Sequence, residues 1–191
     1  VVELGDWEVV DGVYRTPETL KQWRTYALGG EEYGEFTIEV KIRNDNPADQ
    51  SHAGFAFGVG DDEAEKLNGV YWPGYYVYFR PHQGTLVLGS LAGQLAIKDV
   101  FAAGDVGNWH LLKAEVSAAN STLKTWVDGE EVFEVKLDDD AFPETGRIML
   151  YTEATGGASF DDVSITGGRI PTAVQPDSKL AITWGGVKAQ Y

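Results

Sequence analysis

The stretch YWPGYYVYFRP, Tyr71 to Pro81, places six aromatic side chains within eleven positions of an acidic chain. Aromatic faces stack on the C–H surfaces of sugar rings, and an arginine beside them adds planar hydrogen-bond donors. The types and spacing of the other reactive residues exclude several chemistries. The three histidines, His52, His82 and His110, have no partner at i+3 or i+4, and HExxH is absent, so a zinc site is not expected. His110, beside Trp109 in a strand, reads as a satisfied structural side chain, and His82 sits in a turn next to the aromatic run. There is no cysteine, which removes disulfides, thiolate metal sites and thiol nucleophiles together. GxSxG is also absent. The densest acidic run, Asp138 to Asp140, lies between a strand and a proline-containing turn, where solvated acids are expected.

Parity divides the aromatic stretch. In an extended chain alternate side chains point to opposite faces. Tyr75, Val77 and Phe79 therefore share one face, while Tyr76, Tyr78 and Arg80 share the other. The first set suits the space between two sheets. The second then lies on a sheet surface, with Tyr71 and Trp72 in the loop before it. That surface fits a glycan, a protein interface, which also favours Tyr, Trp and Arg, or packing under a neighbouring loop.

The elements that must hold these residues are strands. In EFTIEVKIR, Phe36, Ile38, Val40 and Ile42 alternate with Thr37, Glu39, Lys41 and Arg43, the pattern of a half-buried antiparallel strand. Similar segments run over residues 53–59, 74–80, 85–90, 95–101, 109–116, 123–127, 131–137, 147–151 and 159–166. Turn signals separate them, including Asp11-Gly12, Pro81 to Gly84 and Asp128-Gly129, and TWVDGEEVFEV reads as a hairpin. The one expected helical turn is Thr16 to Trp23, with Pro17 near its first position. Many short strands at regular spacing predict an all-β antiparallel two-sheet sandwich or jelly roll.

At 191 residues with a formal charge of −15, the chain suits one buried domain and repels phosphate backbones and anionic membranes. No apolar run approaches the roughly 20 residues needed to span a bilayer. The start, VVELGDWEVV, has neither methionine nor signal-peptide core and reads as a processed, exported chain, secreted or displayed on a cell surface. The domain is expected over residues 1–166. Residues 167–179, rich in Gly and Pro, read as a linker, and residues 180–191 as a terminal strand and tail. Leu180, Ile182 and Trp184 alternate with small or polar neighbours and need a burial site, since exposing each forgoes roughly 1.5–3 kcal/mol. They can close an edge of their own sandwich or complete the sheet of a second copy, which would propagate a filament. Asn120-Ser121-Thr122 is a glycosylation sequon in a turn.

The motif order GDWEVVDGVYRT, FTIEVKIR, GYYVYFR, NWHLLKAEV, WVDGEEV and SFDDVSI resembles the concanavalin A-like jelly rolls. The likeness is greatest to laminin-G-like and 3-keto-disaccharide hydrolase-like domains of secreted bacterial proteins, and it covers about Gly5 to Thr166. It implies a jelly-roll sandwich, a fold that serves glycan binding, adhesion and, in some members, glycoside cleavage. Glycosidases of this architecture carry two or three carboxylates on one face of one strand, about 5 Å apart, and no stretch here does so. No catalytic residue is therefore expected. The resemblance also implies a structural Ca²⁺ site with Asp162 on one side and Glu3, Gly5 and Asp6 on the other. The alternative for Asp161 and Asp162 is a strand end paired with a lysine. The leading expectation is an exported, non-catalytic structural subunit that polymerises through Leu180, Ile182 and Trp184. The alternative is a glycan-binding module using Trp72, Tyr76, Tyr78 and Arg80, with a sugar hydrolase as the third reading.

Overall fold

The computed structural model describes residues 2–4, 6–16, 24–46, 51–59, 66–67, 70–71, 74–90, 93–137, 146–153, 157–169 and 182–183. The described residues are strands and connections, and every strand pair is antiparallel. In chain order the strands are β1 (Val2–Leu4), β2 (Glu8–Val10), β3 (Val13–Thr16), β4 (Arg24–Asn44), β5 (His52–Val59), β6 (Lys66–Leu67), β7 (Val70–Tyr71) and β8 (Tyr75–Arg80). They continue as β9 (Thr85–Ser90), β10 (Gly93–Asp99), β11 (Trp109–Ser117), β12 (Thr122–Val127), β13 (Glu130–Lys136), β14 (Gly146–Glu153), β15 (Ala158–Arg169) and β16 (Ile182–Thr183). Among the described residues no helix is long and apolar enough to cross a membrane. The expected helical turn lies outside the described residues apart from Thr16, which ends β3.

The main sheet path runs β10-β9-β8-β5-β14-β4-β11-β12-β13. It is continuous because β4, 21 residues long, serves both layers. Its first half pairs with β14 from Arg24 to Tyr33, and its second half pairs with β11 from Phe36 to Arg43. Along its other edge β4 meets β15, which in turn carries β3. Only the second half showed period-two alternation in the sequence. The first half, RTYALGGEEYG, is broken by glycines and carries a register shift against β14 between Arg147 and Met149.

The two layers share one core. From one side come Ala53, Phe55, Phe57, Tyr75, Val77, Phe79, Leu86, Leu88 and Leu150; from the other come Leu112, Ala114, Leu123, Phe133 and Phe160, with Ile38, Val40 and Ile42 of β4. Hairpin chemistry sets the connections. Asp11 and Gly12, then Asp128 and Gly129, all have positive φ, as a two-residue turn matched to strand twist requires. The second turn is latched: the Asp128 carboxylate accepts a hydrogen bond from Leu111 N at 2.8 Å and contacts His110 Nδ1 at 2.7 Å.

At the C-terminal end β15 runs to Arg169, past Thr166. There Gly167 lies against the β4 backbone so closely that a Cβ would meet Glu35 O at 2.2 Å. Ile182 and Thr183 pair with Ile165 and Ser164 of the same chain. Leu180 and Trp184 lie outside the described residues, as do residues 170–181.

Ile38 is fully buried between the layers, whereas its neighbour Glu39 is exposed. Ile38→Ala is expected to destabilise the domain by about 2–5 kcal/mol in urea unfolding, and Glu39→Gln to stay within about 0.5 kcal/mol.

Candidate functional site

Strand β8 turns opposite faces to the core and to the outside. Tyr75, Val77 and Phe79 enter the core as their parity requires. Tyr76 and Tyr78 project from the outer face, where they join Ala56, Val59, Val87, Met149 and Tyr151 in a second apolar cluster. Two glycines and an alanine make room for the rings. Gly54 stands opposite both Tyr78 and Tyr151, and Ala56 stands opposite both Tyr76 and Met149. Gly89 stands opposite Tyr76, whose ring lies directly over it: a Cβ at Gly89 would meet Tyr76 Cε2 at 2.3 Å.

The rings form a connected surface. Tyr76 lies 5.5 Å from Tyr78 and is stacked on Tyr151 at 6.5 Å; His52 is stacked on Tyr78 at 4.6 Å. Tyr78 differs from the open platform expected of it, being only 5 % exposed. The reason is lateral crowding, because His52, Tyr76, Tyr151 and Arg80 surround it. Tyr76 is half-buried and presents the more accessible ring.

Polar groups rim this surface. Arg80 Nη2 donates to Tyr78 Oη at 2.8 Å and Nη1 to Gln94 Oε1 at 3.3 Å. Tyr151 Oη donates to Glu153 Oε2, whose carboxylate lies 3.6 Å from His52 Nδ1. Burial pushes the Tyr78 phenol above the ordinary tyrosine value of 10.0, and the Arg80 charge and hydrogen bond pull in the opposite direction. The arrangement offers an aromatic floor bordered by a guanidinium with an amide and by a carboxylate with an imidazole.

Of the four aromatic and basic residues expected here, the structure gathers Tyr76, Tyr78 and Arg80; Trp72 lies outside the described residues. His52, Gln94, Tyr151 and Glu153 were not foreseen. They arrive from β5, β10 and β14 through sheet register, and the available signal was the small residues Gly54, Ala56 and Gly89 inside strands rich in large side chains.

The other candidates are placed separately. Asp162 pairs with Lys41 Nζ at 2.8 Å, and this contact holds the Lys41 ammonium above its usual range. Asp162 is thus engaged by a cation from β4. Asp6 is exposed, the side chain of Glu3 and all of Gly5 lie outside the described residues, and so do Asp138 to Asp140. Among the described residues no three His, Asp or Glu side chains converge as a metal site would require. His110 is held between Asp128 and Asp105 and stacks on Phe101 at 4.5 Å, which fixes the Asp128-Gly129 hairpin to the loop after β10. His82 is half-buried in the turn after β8 and makes contacts of its own. On the far sheet an open groove of about 440 Å³ is lined by Glu35, Thr37, Glu115, Lys124 and Gly167.

Because Tyr78 binds its proton more tightly in the folded state, it adds stability that is present below the unfolded tyrosine value near 10 and is lost as pH rises through its own higher value. In a titration followed at 295 nm, Tyr78→Phe is expected to remove a late-ionising phenol from the nine tyrosines. An unchanged high-pH limb would contradict the assignment.

Comparison with known proteins adds a family and a set of similar folds. Residues 2–166 match the model of a family described as the 3-keto-alpha-glucoside-1,2-lyase-like domain. No curated protein matches the chain. Among solved structures, the carbohydrate binding module CBM66 from Bacillus subtilis is 15% identical with a TM-score of 0.67, over 85% of this chain and 91% of that one. The carbohydrate recognition domain of Emp46p is 13% identical with a TM-score of 0.66, over 88% of each chain. An alginate lyase from Pseudomonas aeruginosa is 12% identical with a TM-score of 0.59, over 85% of this chain and 86% of that one. At these identities the likeness establishes a shared jelly-roll sandwich.

Proposed function

The chain belongs to the family of 3-keto-alpha-glucoside-1,2-lyase-like domains, and we propose that it is a carbohydrate-recognition domain that seats a sugar on the outer face of β5, β8, β9 and β14. The observation that carries this reading is the Tyr76 ring laid over Gly89 with Arg80, Gln94, Glu153 and His52 around the same surface. A pyranose has an apolar C–H face and an equator of hydroxyls. Tyr76 complements the first, while the guanidinium, amide and carboxylate complement the second. The similarity in fold to a carbohydrate binding module and a carbohydrate recognition domain supports this choice. The in-chain pairing of β16 with β15 supports a domain that closes its own sheet edge over one that lends Leu180, Ile182 and Trp184 to a neighbour.

Loss of one stacking ring removes about 0.5–1.5 kcal/mol beyond buried area. Tyr76→Ala is therefore expected to weaken glycan binding by roughly three- to tenfold or more in titration calorimetry, measured well below the variant's own melting temperature because the ring also packs on the outer cluster. Absence of binding to every sugar in a broad glycan array would end this reading.

A second reading comes from the family and from the His52–Glu153 contact of 3.6 Å. A keto group at sugar carbon 3 acidifies the hydrogen on carbon 2. A base beside the ring can then remove that proton and expel the substituent on carbon 1. His52 or Glu153 is the group on this face suited to that proton transfer. On this reading a 3-keto-α-glucoside is cleaved by the domain and spared by both His52→Gln and Glu153→Gln. Equal turnover in all three proteins, or none in the parent, would contradict it.

A further inference from the structure

We infer that the glycan recognised on this face carries a carboxylate, a uronic acid residue at a chain end or branch, and that Arg80 is its anchor. The inference rests on the carbohydrate-recognition reading above and names its ligand class.

The starting point is the charge balance. Acids outnumber Lys and Arg by 30 to 15, so a surface cation in this chain easily finds a carboxylate. Others among the described residues do so: Arg15 pairs with Glu8, Lys41 with Asp162, Arg43 with Asp45, Lys113 with Glu115 and Lys124 with Glu134. Arg80 differs. Its hydrogen bonds go to the Tyr78 phenol and the Gln94 amide, both neutral, and its guanidinium lies 5.4 Å from the Tyr78 ring centre.

The surroundings make an uncompensated guanidinium there costly. Among the described residues, the buried Arg80 Nε has no hydrogen-bond partner. Thr85, the residue paired with Arg80 across to β9, is 5 % exposed, and its Oγ1 is also unpartnered. Among the described residues this charge has no carboxylate partner, and Tyr78 and Gln94 take up only two of its five N–H groups, so an anion seated on the outer edge of the guanidinium supplies the missing compensation. Tyr78 and Gln94 orient the guanidinium, as preorganised recognition of a planar anion requires.

A carboxylate on a sugar matches these features. It is planar like the guanidinium, and it projects from the ring edge while Tyr76 takes the ring face. The charge of −15 opposes a polymer of anions but is screened beyond about 10 Å at 0.1 M salt, whereas one carboxylate seated on Arg80 meets a local positive charge. A single acidic sugar within an otherwise neutral glycan satisfies both conditions. Glu153, engaged by Tyr151, is left to accept from sugar hydroxyls.

The test uses the full chain and three probes in titration calorimetry at 0.1 M salt: a neutral gluco-oligosaccharide, the same oligosaccharide ending in glucuronate, and the methyl ester of that glucuronate-ended form. The uronate-ended probe is expected to bind at least tenfold more tightly than the other two. Arg80→Gln should erase that preference and Arg80→Lys should retain part of it, with the melting temperatures of both variants recorded as a check on folding. Equal affinity for all three probes overturns the uronate assignment, and a preference that survives Arg80→Gln overturns Arg80 as the anchor; either result leaves the carbohydrate reading standing. Binding of none of the probes, or of any sugar on an array rich in uronates, overturns both.

Discussion

Two sheets share a core only when their inner faces interdigitate at a fixed separation, and in this domain β4 commits both layers to that arrangement. Half of the strand bonds to β14 and half to β11, while its other edge carries β15. Ile38, Val40 and Ile42 are each fully buried. Through β14 and then β5, the position of β4 also sets where β8 lies, and β8 carries the outer aromatic surface. The site is therefore positioned by a chain of backbone pairings that begins in the core.

That surface is built by subtraction as much as by addition. Large rings at Tyr76, Tyr78 and Tyr151 can lie side by side only because their cross-strand partners are Gly54, Ala56 and Gly89. The glycines weaken their strands locally, since glycine loses the most conformational freedom and packs no side chain. In exchange the backbone becomes a floor for rings. The polar rim uses the same economy: Arg80 and Gln94 fix each other, and so do Tyr151 and Glu153.

Period-two alternation made much of this legible in the sequence. It located β5, β8, β9 and β11 to β15 to within a few residues, and it separated Tyr75, Val77 and Phe79 from Tyr76, Tyr78 and Arg80. It failed for the first half of β4, where glycines and a register shift blur the pattern. It also failed for the depth of Tyr78, because burial on an outer face depends on neighbours that only pairing can supply. His52 and Glu153 were illegible for the same reason: they meet across β5 and β14, and nothing in either local segment announces the other. The likeness to jelly rolls of the 3-keto-disaccharide hydrolase-like kind identified the family correctly. The aromatic run supplies Tyr76, Tyr78 and Arg80 to the surface on which the functional reading rests, and the terminal strand supplies none of it.

Strand β8 shares its two duties residue by residue, alternating between core and platform over six positions. One inserted or deleted residue inside it would exchange the two sets, sending Tyr76 and Tyr78 into the core and Val77 and Phe79 to the outside. The length of this segment is consequently frozen while its outward chemistry is free to change. Related domains can acquire new ligands by swapping side chains at alternate positions of β8, and variation in chain length must be confined to the loops around it.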